Sequence, residues 1–175
     1  HHPGDNTEPE GWLARMEAAE QTYGSFEGHW RNYHAPEDPP PMTDQEIAVA
    51  ESGQPLHISW KPRPAGEDWA YTASGAYDDT IDQVMTDLRD HCGRDCWLSI
   101  EIEPENKVDD TAGSGFTTAD FRGLWQRVAD SRERVGADNV KLVWVLQGYE
   151  QWRTLYSGLW PGNGVVDIIG HDPYI

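Results

Sequence analysis

The sequence predicts an α/β protein built around parallel strands. Short segments rich in Val, Ile, Leu and Trp alternate with longer segments that carry apolar residues at helical spacing. The intervening segments have ten or more residues, enough for a helix that returns the chain so that successive strands run parallel. Five strands are predicted, at 29–33, 56–60, 97–102, 140–146 and 165–169. A doubly wound sheet and a (β/α)8 barrel both fit this alternation.

Four helices are predicted before or between these strands. The first spans 9–23, and a short one covers 43–51. The clearest helix has Asp78 at its N-terminus and an apolar stripe formed by Ile81, Val84, Met85 and Leu88. The last follows Thr117, whose position three residues before Asp120 resembles a capping box. Its apolar stripe consists of Phe121, Leu124, Trp125 and Val128.

Charge and composition limit the classes of partner. The chain has 31 Asp and Glu against 13 Lys and Arg, a formal net charge of −18. Such a surface repels phosphate groups, so nucleic acid and membrane are not expected partners, whereas neutral polysaccharide is compatible with it. No apolar run reaches the ~20 residues of a membrane-spanning helix. The nine Trp have two interpretations, as core residues or as faces that stack on sugar rings in a groove.

The two cysteines, Cys92 and Cys96, lie four residues apart. A disulfide that closes a small loop is compatible with an oxidising compartment. A zinc site would need two further ligands, and the sequence has no second cysteine pair to supply them. We therefore weigh a disulfide against two free thiols and expect neither a metal site nor a cofactor.

Polar and aromatic residues collect where the predicted strands end, which in parallel α/β folds is where functional groups meet. These strand-end residues are Tyr33, His34, Trp60, Lys61, Glu103, Glu105, Asn106, Gln147, Tyr149, His171, Asp172 and Tyr174. Acids, aromatics and hydrogen-bonding groups suit an oxygen-rich neutral ligand. The sequence contains neither a glycine-rich phosphate loop nor the Gly-x-Ser-x-Gly motif of serine hydrolases.

The segment from Ser99 to Asn106 carries the most chemistry. Strand alternation would send Glu101 and Glu103 to the same side. Two interpretations follow: ion pairs between these carboxylates and Arg or Lys, or a Glu103 that lies at the rim in a partly apolar setting and donates a proton to a leaving sugar oxygen.

These residues resemble glycoside hydrolase family 26, the β-mannanase group. Ile102-Glu103-Pro104-Glu105-Asn106 looks like the family's strand end that carries the catalytic acid. The other similar segments, in the family's order, are Ile58 to Pro62, Gly75 to Asp78, Phe116 to Trp125, Asn139 to Trp144 and Val166 to Tyr174.

The resemblance implies a (β/α)8 barrel that cleaves β-linked polysaccharide, mannan or a related glucan, by a retaining mechanism with two carboxylates. Glu103 would be the general acid/base. The predicted substrate-binding residues are Trp60, Lys61, Glu105, Asn106, Trp144, His171, Asp172 and Tyr174. The expected ligand is a polysaccharide or oligosaccharide, and the expected location is extracellular, secreted or on a cell or virion surface.

Two departures from the family bear on this hypothesis. Ile102 stands where the family usually has His. The family's nucleophile comes from a seventh strand, whereas this chain ends at Ile175, just past the sixth strand of the resemblance. A barrel of this kind typically needs about 250 residues. We therefore expect 1–175 to be an incomplete barrel of five to six βα units, a piece of a longer polypeptide that supplies the nucleophile elsewhere.

Two rival hypotheses remain. One is a non-catalytic carbohydrate-binding or structural barrel, for instance in a cell-surface or phage-tail protein, which Ile102 favours slightly. The other is an unrelated α/β enzyme that binds Mg²⁺ or Mn²⁺ through Glu103, Glu105, His171 and Asp172. His171 and Asp172 also have a simpler interpretation, in which they bond only to each other and to nearby backbone.

Overall fold

The computed structural model describes residues 9–24, 29–93 and 96–173. The strands are β1 Trp30–His34, β2 Leu56–Trp60, β3 Cys96–Ile100, β4 Val140–Leu146 and β5 Ile168–His171. The α-helices are α1 Pro9–Tyr23, α2 Asp44–Glu51, α3 Trp69–Ala73, α4 Asp78–His91, α5 Thr118–Val135 and α6 Tyr156–Leu159. Two 3-10 helices cover Pro104–Asn106 and Glu150–Leu155.

The five strands form one parallel sheet in the order β1-β2-β3-β4-β5. This confirms the predicted α/β fold with parallel strands. Each crossover joins neighbouring strands, and crossovers of one hand place their helices on the same face of the sheet. Sequential order is the arrangement of a (β/α) barrel, whereas a doubly wound sheet reverses its strand order at a switch point. The described strands therefore form an arc of barrel-like order.

One face of the sheet, the helix-covered face, carries most of the core. Its residues are Leu56, Ile58, Trp60, Leu98, Ile100, Leu142, Trp144 and Leu146, all buried. They pack against the apolar stripes predicted for α4 and α5, whose members are also buried. The opposite face, which we call the inner face, is more polar and includes Arg31, His57, Ser59, Trp97 and Ser99.

Three of the five strands have bounds that differ from the prediction. β1 covers 30–34 rather than 29–33, a shift of one residue. β3 ends at Ile100 rather than at 102, because the backbone of Glu101 turns to a φ of 42° and leaves the extended conformation. β5 begins at Ile168 rather than at 165. Before it, the backbone N–H of Val165 donates to the carbonyl of Gly162 in a turn.

Helix ends are fixed by their own side chains. Thr117 and Asp120 form the predicted capping box at the start of α5. Cys92 and Cys96 are joined in a disulfide that connects the end of α4 to the start of β3.

Among the helices of the described ranges, none combines the length and the apolar character needed to cross a membrane.

A buried carboxylate ties α2 to β1. Glu46 is fully buried and accepts hydrogen bonds from His34 at 2.7 Å and from Asn32 at 2.9 Å. The backbone N–H groups of Met42 and Thr43 add bonds of 2.8 and 2.9 Å. His34 was predicted only as a strand-end polar residue. Its imidazole instead lies in the core, between the carboxylate and the Pro39 carbonyl at 2.8 Å.

Candidate functional site

The segment that follows β3 is hydrogen-bonded to the ends of its two neighbouring strands, β2 and β4. Glu101 and Glu103 have backbone φ angles of 42° and 54°, in the left-handed region that non-glycine residues rarely adopt. The Glu101 N–H donates to the Trp60 carbonyl at 2.9 Å, and the Glu103 N–H donates to the Val145 carbonyl at 3.0 Å. Strained backbone of this kind persists where surrounding contacts hold it, and it concentrates at functional sites.

The two left-handed residues send the two carboxylates to different partners, so the expectation from simple alternation was wrong. Glu101 is 1% exposed. It accepts from Arg63 Nε at 2.9 Å and lies 3.6 Å from Lys107 Nζ. The ion-pair interpretation therefore holds for Glu101, whose charge would be costly to bury without these cations. Arg63 is itself buried and also donates to the Glu67 carbonyl.

Glu103 is held through one carboxylate oxygen. Its Oε2 accepts from Gln147 Nε2 at 3.1 Å and from Asn106 Nδ2 at 3.4 Å. Its Oε1 is shielded from solvent and has no hydrogen-bond partner among the described residues. A buried carboxylate oxygen without a partner is costly, and such atoms in folded proteins call for an explanation in function. The arrangement fixes the carboxyl group and leaves one oxygen for a ligand.

Glu105 is a second carboxyl beside the first. It is 2% exposed, and its Oε1 accepts from the backbone N–H of Gln147 at 3.0 Å. Its Oε2 has no hydrogen-bond partner in the described ranges. Burial raises the pKa of Glu105 above its ordinary value, and the charge of Glu103 adds to the rise, although backbone donors oppose it. Burial therefore favours the protonated form of the Glu105 carboxyl.

Residues from the first and the last strand of the sheet meet around the Arg31 guanidinium. The Arg31 guanidinium lies 4.7 Å from the centre of the Tyr33 ring and 3.7 Å from Asp172 Oδ2. Burial raises the pKa of the Tyr33 phenol, Arg31 opposes that rise, and the charges of Asp172 and Glu103 add to it. Tyr33 is nevertheless 46% exposed, as few large aromatic side chains of the described residues are.

The remaining predicted residues have distinct positions. His171 is exposed at the end of β5 and packs against Gly148, where a Cβ would lie 2.6 Å from its Cε1 atom. Lys61 is partly exposed at the end of β2, and its N–H donates to the His34 carbonyl. Asn106 is exposed next to Glu103. Tyr174 lies outside the described residues.

The two tryptophans predicted to bind substrate need correction. Trp60 is 3% exposed and Trp144 is 5% exposed. Both point to the helix-covered face, where Trp60 contacts Tyr77 and Trp144 packs edge-on against Trp160 at 5.1 Å. Because a stacking platform needs an open ring face, these indoles are core residues in this structure. Tyr33 is the exposed aromatic that sequence reasoning left out of the binding set.

Gln147 is the other residue missing from the predicted site. It follows β4 directly, and it contacts Glu103 through its side chain and Glu105 through its backbone. Its strand-end position was visible in the sequence, but no local motif marks it. Within the described ranges, no three His, Cys, Asp or Glu side chains are grouped so as to hold a metal ion. The metal-binding set of Glu103, Glu105, His171 and Asp172 is therefore not assembled.

Comparisons with known proteins add a likeness of fold. No family model matches the sequence, and no curated protein matches it. Among solved structures, the chain is similar to the glycoside hydrolase family 26 domain of an endo-β-mannanase/endo-β-glucanase from Prevotella bryantii. The TM-score is 0.50 at 15% sequence identity, over 71% of this chain and 49% of that chain. The chain thus spans about half the length of that domain, and its fold is similar to part of that domain.

Proposed function

We propose that the chain is part of a glycoside hydrolase that acts on β-linked polysaccharide, mannan or a related glucan, with Glu103 as general acid/base. The observation that carries the proposal is the unequal hydrogen bonding of the two carboxylate oxygens of Glu103. Two amide donors hold its Oε2, while Oε1 has no partner in the described part of the chain. The likeness of fold to a glycoside hydrolase domain supports the same class of reaction.

In the proposed reaction, the Glu103 carboxyl gives its proton to the glycosidic oxygen as the bond from that oxygen to the anomeric carbon breaks. A second carboxylate forms a bond to the anomeric carbon from the opposite face, which requires a separation of about 5–5.5 Å between the two carboxyl groups. The Glu103 carboxylate then takes a proton from water, whose oxygen displaces the enzyme carboxylate. We propose that the second carboxylate comes from a strand outside these 175 residues.

The proposed substrate surface lies along the carboxyl ends of β1 to β5. Tyr33 is 46% exposed, and a sugar ring packs with its apolar side on an aromatic ring. Lys61, Asn106, Asp172 and His171 offer hydrogen-bonding groups at the same edge. A net charge of −18 favours a neutral polysaccharide over an acidic one. We place the protein outside the cell, where such polymers occur.

The test is hydrolysis of soluble β-mannan and β-glucan by the full-length protein and by Glu103→Gln, which keeps the shape of the side chain and removes the proton. The matched control is Glu133→Gln, an exposed carboxylate on α5. We expect Glu103→Gln to lose about two to four orders of magnitude in rate, the typical contribution of a general acid, and the control to retain the wild-type rate. Equal rates in all three proteins would refute the proposal.

A second candidate is a barrel that binds carbohydrate without cleaving it. Ile102 favours it, because the resemblance puts a polar His before the acid and this chain has a partly buried aliphatic residue there. This alternative requires that the full-length protein bind mannan or glucan and release no reducing sugar from either. It also requires that Glu103→Gln bind about as tightly as the wild type.

A further inference from the structure

A single residue contacts both carboxyl groups of the candidate site. Gln147 donates from Nε2 to Glu103 Oε2 at 3.1 Å and from its backbone N–H to Glu105 Oε1 at 3.0 Å. We propose that Gln147 is the positioning residue of Glu103 and that buried Glu105 anchors it, an inference that rests on the proposed hydrolase function. The proposed ligand stays the same, and Gln147 is added as the residue that holds the Glu103 carboxyl in position for proton transfer.

The position of Gln147 explains why it can hold a carboxyl group. It directly follows β4, whose last five residues are buried, so its backbone inherits the rigidity of the strand. The carbonyl of Val145, two residues earlier, accepts the Glu103 N–H at 3.0 Å. The end of β4 therefore forms hydrogen bonds with both the backbone and the side chain of Glu103. These bonds also stabilise the left-handed backbone of Glu103, which directs its carboxyl toward Gln147.

Glu105 supplies the anchor on the other side. The N–H of a residue just beyond a strand loses its ladder partner, and a buried N–H without a partner is costly. The Glu105 carboxyl meets that need from a position that is 2% exposed. It follows the same turn as Glu103, two residues later in the 3-10 helix. Gln147 thus cannot shift without breaking a bond to each carboxyl group.

Gln147 is also the stronger of the two donors to Glu103. Its bond is 3.1 Å long, whereas the bond from exposed Asn106 is 3.4 Å, at the limit of useful hydrogen-bond length. Both donors are neutral amides that bind only the oxygen Oε2. The proton of the general acid must therefore reside on Oε1, the oxygen that no described residue occupies. Gln147 thereby decides which oxygen faces the leaving group.

The experiment measures kcat, KM and the pH dependence of kcat/KM for the full-length protein with Gln147→Leu and Gln147→Lys, using soluble β-mannan and β-glucan. Gln126→Leu is the matched control, since Gln126 makes the same type of amide–carboxylate bond, to Asp130 at 2.7 Å, on the exposed side of α5. Hydrogen bonds to charged groups account for a rate factor of about ten to a hundred. We expect Gln147→Leu to lose that factor in kcat with KM nearly unchanged.

The pH profile separates positioning from mere folding. The alkaline limb of kcat/KM reports the acid in the free enzyme. Loss of a donor to the carboxylate moves that limb to higher pH in Gln147→Leu, and a cation in the same place moves it to lower pH in Gln147→Lys. Opposite shifts in two folded variants support the proposal. Limbs that stay at the wild-type pH in both variants overturn it.

If the wild type cleaves neither substrate, the proposed function fails. The positioning of Glu103 by Gln147 is then tested by crystal structures. The Glu103 carboxyl should keep its contact with Gln147 in the wild type and lose a defined position in Gln147→Leu. An undisturbed Glu103 carboxyl in Gln147→Leu would overturn the positioning role independently of activity.

Discussion

Arg31 Nη2 lies 3.7 Å from Asp172 Oδ2, although three strands separate β1 from β5. In a flat sheet, strands four positions apart would be separated by about 19 Å, given a spacing of about 4.8 Å. The two side chains together cannot span that distance and still meet at 3.7 Å from opposite edges. The sheet must therefore be strongly curved, with the inner face concave and the strand ends directed toward one another.

Curvature of this kind predicts a measurable coupling between the two edges. In a double-mutant cycle of Arg31→Met and Asp172→Asn, we expect a coupling of about 0.5–1 kcal/mol in the free energy of unfolding, because both side chains are about one-third exposed. Urea denaturation of the four proteins measures it. The control cycle, Arg153→Met with Glu150→Gln on a largely exposed pair, should show no coupling. A zero value for the first cycle would contradict the contact.

Glu46 predicts a large loss of stability from a small change. Glu46→Gln removes the charge that faces His34 and places an amide N–H₂ opposite backbone donors. Breaking a buried pair by removing one partner costs about 3–5 kcal/mol. The midpoint of urea unfolding should fall accordingly, whereas Glu51→Gln, on an exposed pair with His91, should stay within about 0.5 kcal/mol of the wild type. Equal effects from both variants would count against the buried pair.

The same pair makes stability depend on pH. Burial by itself lowers the pKa of His34, but the hydrogen bond and charge of Glu46 outweigh it and raise the pKa above 6.5. The folded state then binds the proton more tightly than the unfolded state. This contribution is complete below about pH 6.5 and is lost as pH rises through the raised pKa. The stability difference between wild type and His34→Gln should therefore shrink with rising pH above neutrality. A constant difference would exclude the charged pair.

His57, on the inner face, makes stability depend on pH in the opposite direction, because its pKa is lowered and not raised. Burial lowers its pKa to about 4, and the charges of Arg31 and His29 contribute to the shift. Between about pH 4 and the ordinary value of 6.5, the unfolded chain binds a proton that the folded chain does not. Stability attributable to His57 therefore rises with pH across this interval. His57→Gln, which can keep the bond to Ser99, should flatten that rise. An unchanged slope in urea unfolding would contradict the assignment.

Elements with strong local periodicity were predictable from sequence. The strands at 56–60 and 140–146 match the structure to the residue, and α4 buries the stripe that its spacing predicts. The capping-box spacing of Thr43 and Glu46 was present in the sequence too, so the Glu46 carboxylate could have been found by the rule that found Thr117. The fact that Glu46 also binds β1 depends on tertiary contacts that no local spacing encodes.

The candidate site was less predictable, for two physical reasons. Alternation holds only while the backbone is extended, and it failed at Glu101 because two left-handed residues follow β3. Strand alternation does predict that Trp60 is buried, because Trp60 shares a face with Leu56 and Ile58. Its position at the strand end suggested a ligand contact instead. Gln147 reaches Glu103 across 44 residues of sequence, and such a contact exists only once β3 and β4 have paired.

The central claim is that Glu103 donates the proton to the leaving oxygen, and the most direct measurement compares two leaving groups in Glu103→Ala. A native polysaccharide needs that proton, whereas a dinitrophenyl β-mannobioside or β-cellobioside does not, because dinitrophenolate leaves unprotonated. We predict a loss of two or more orders of magnitude on the polysaccharide, with near wild-type initial release of dinitrophenol from one of the glycosides. Equal losses on both classes of substrate, or no loss on either, would contradict the role of Glu103.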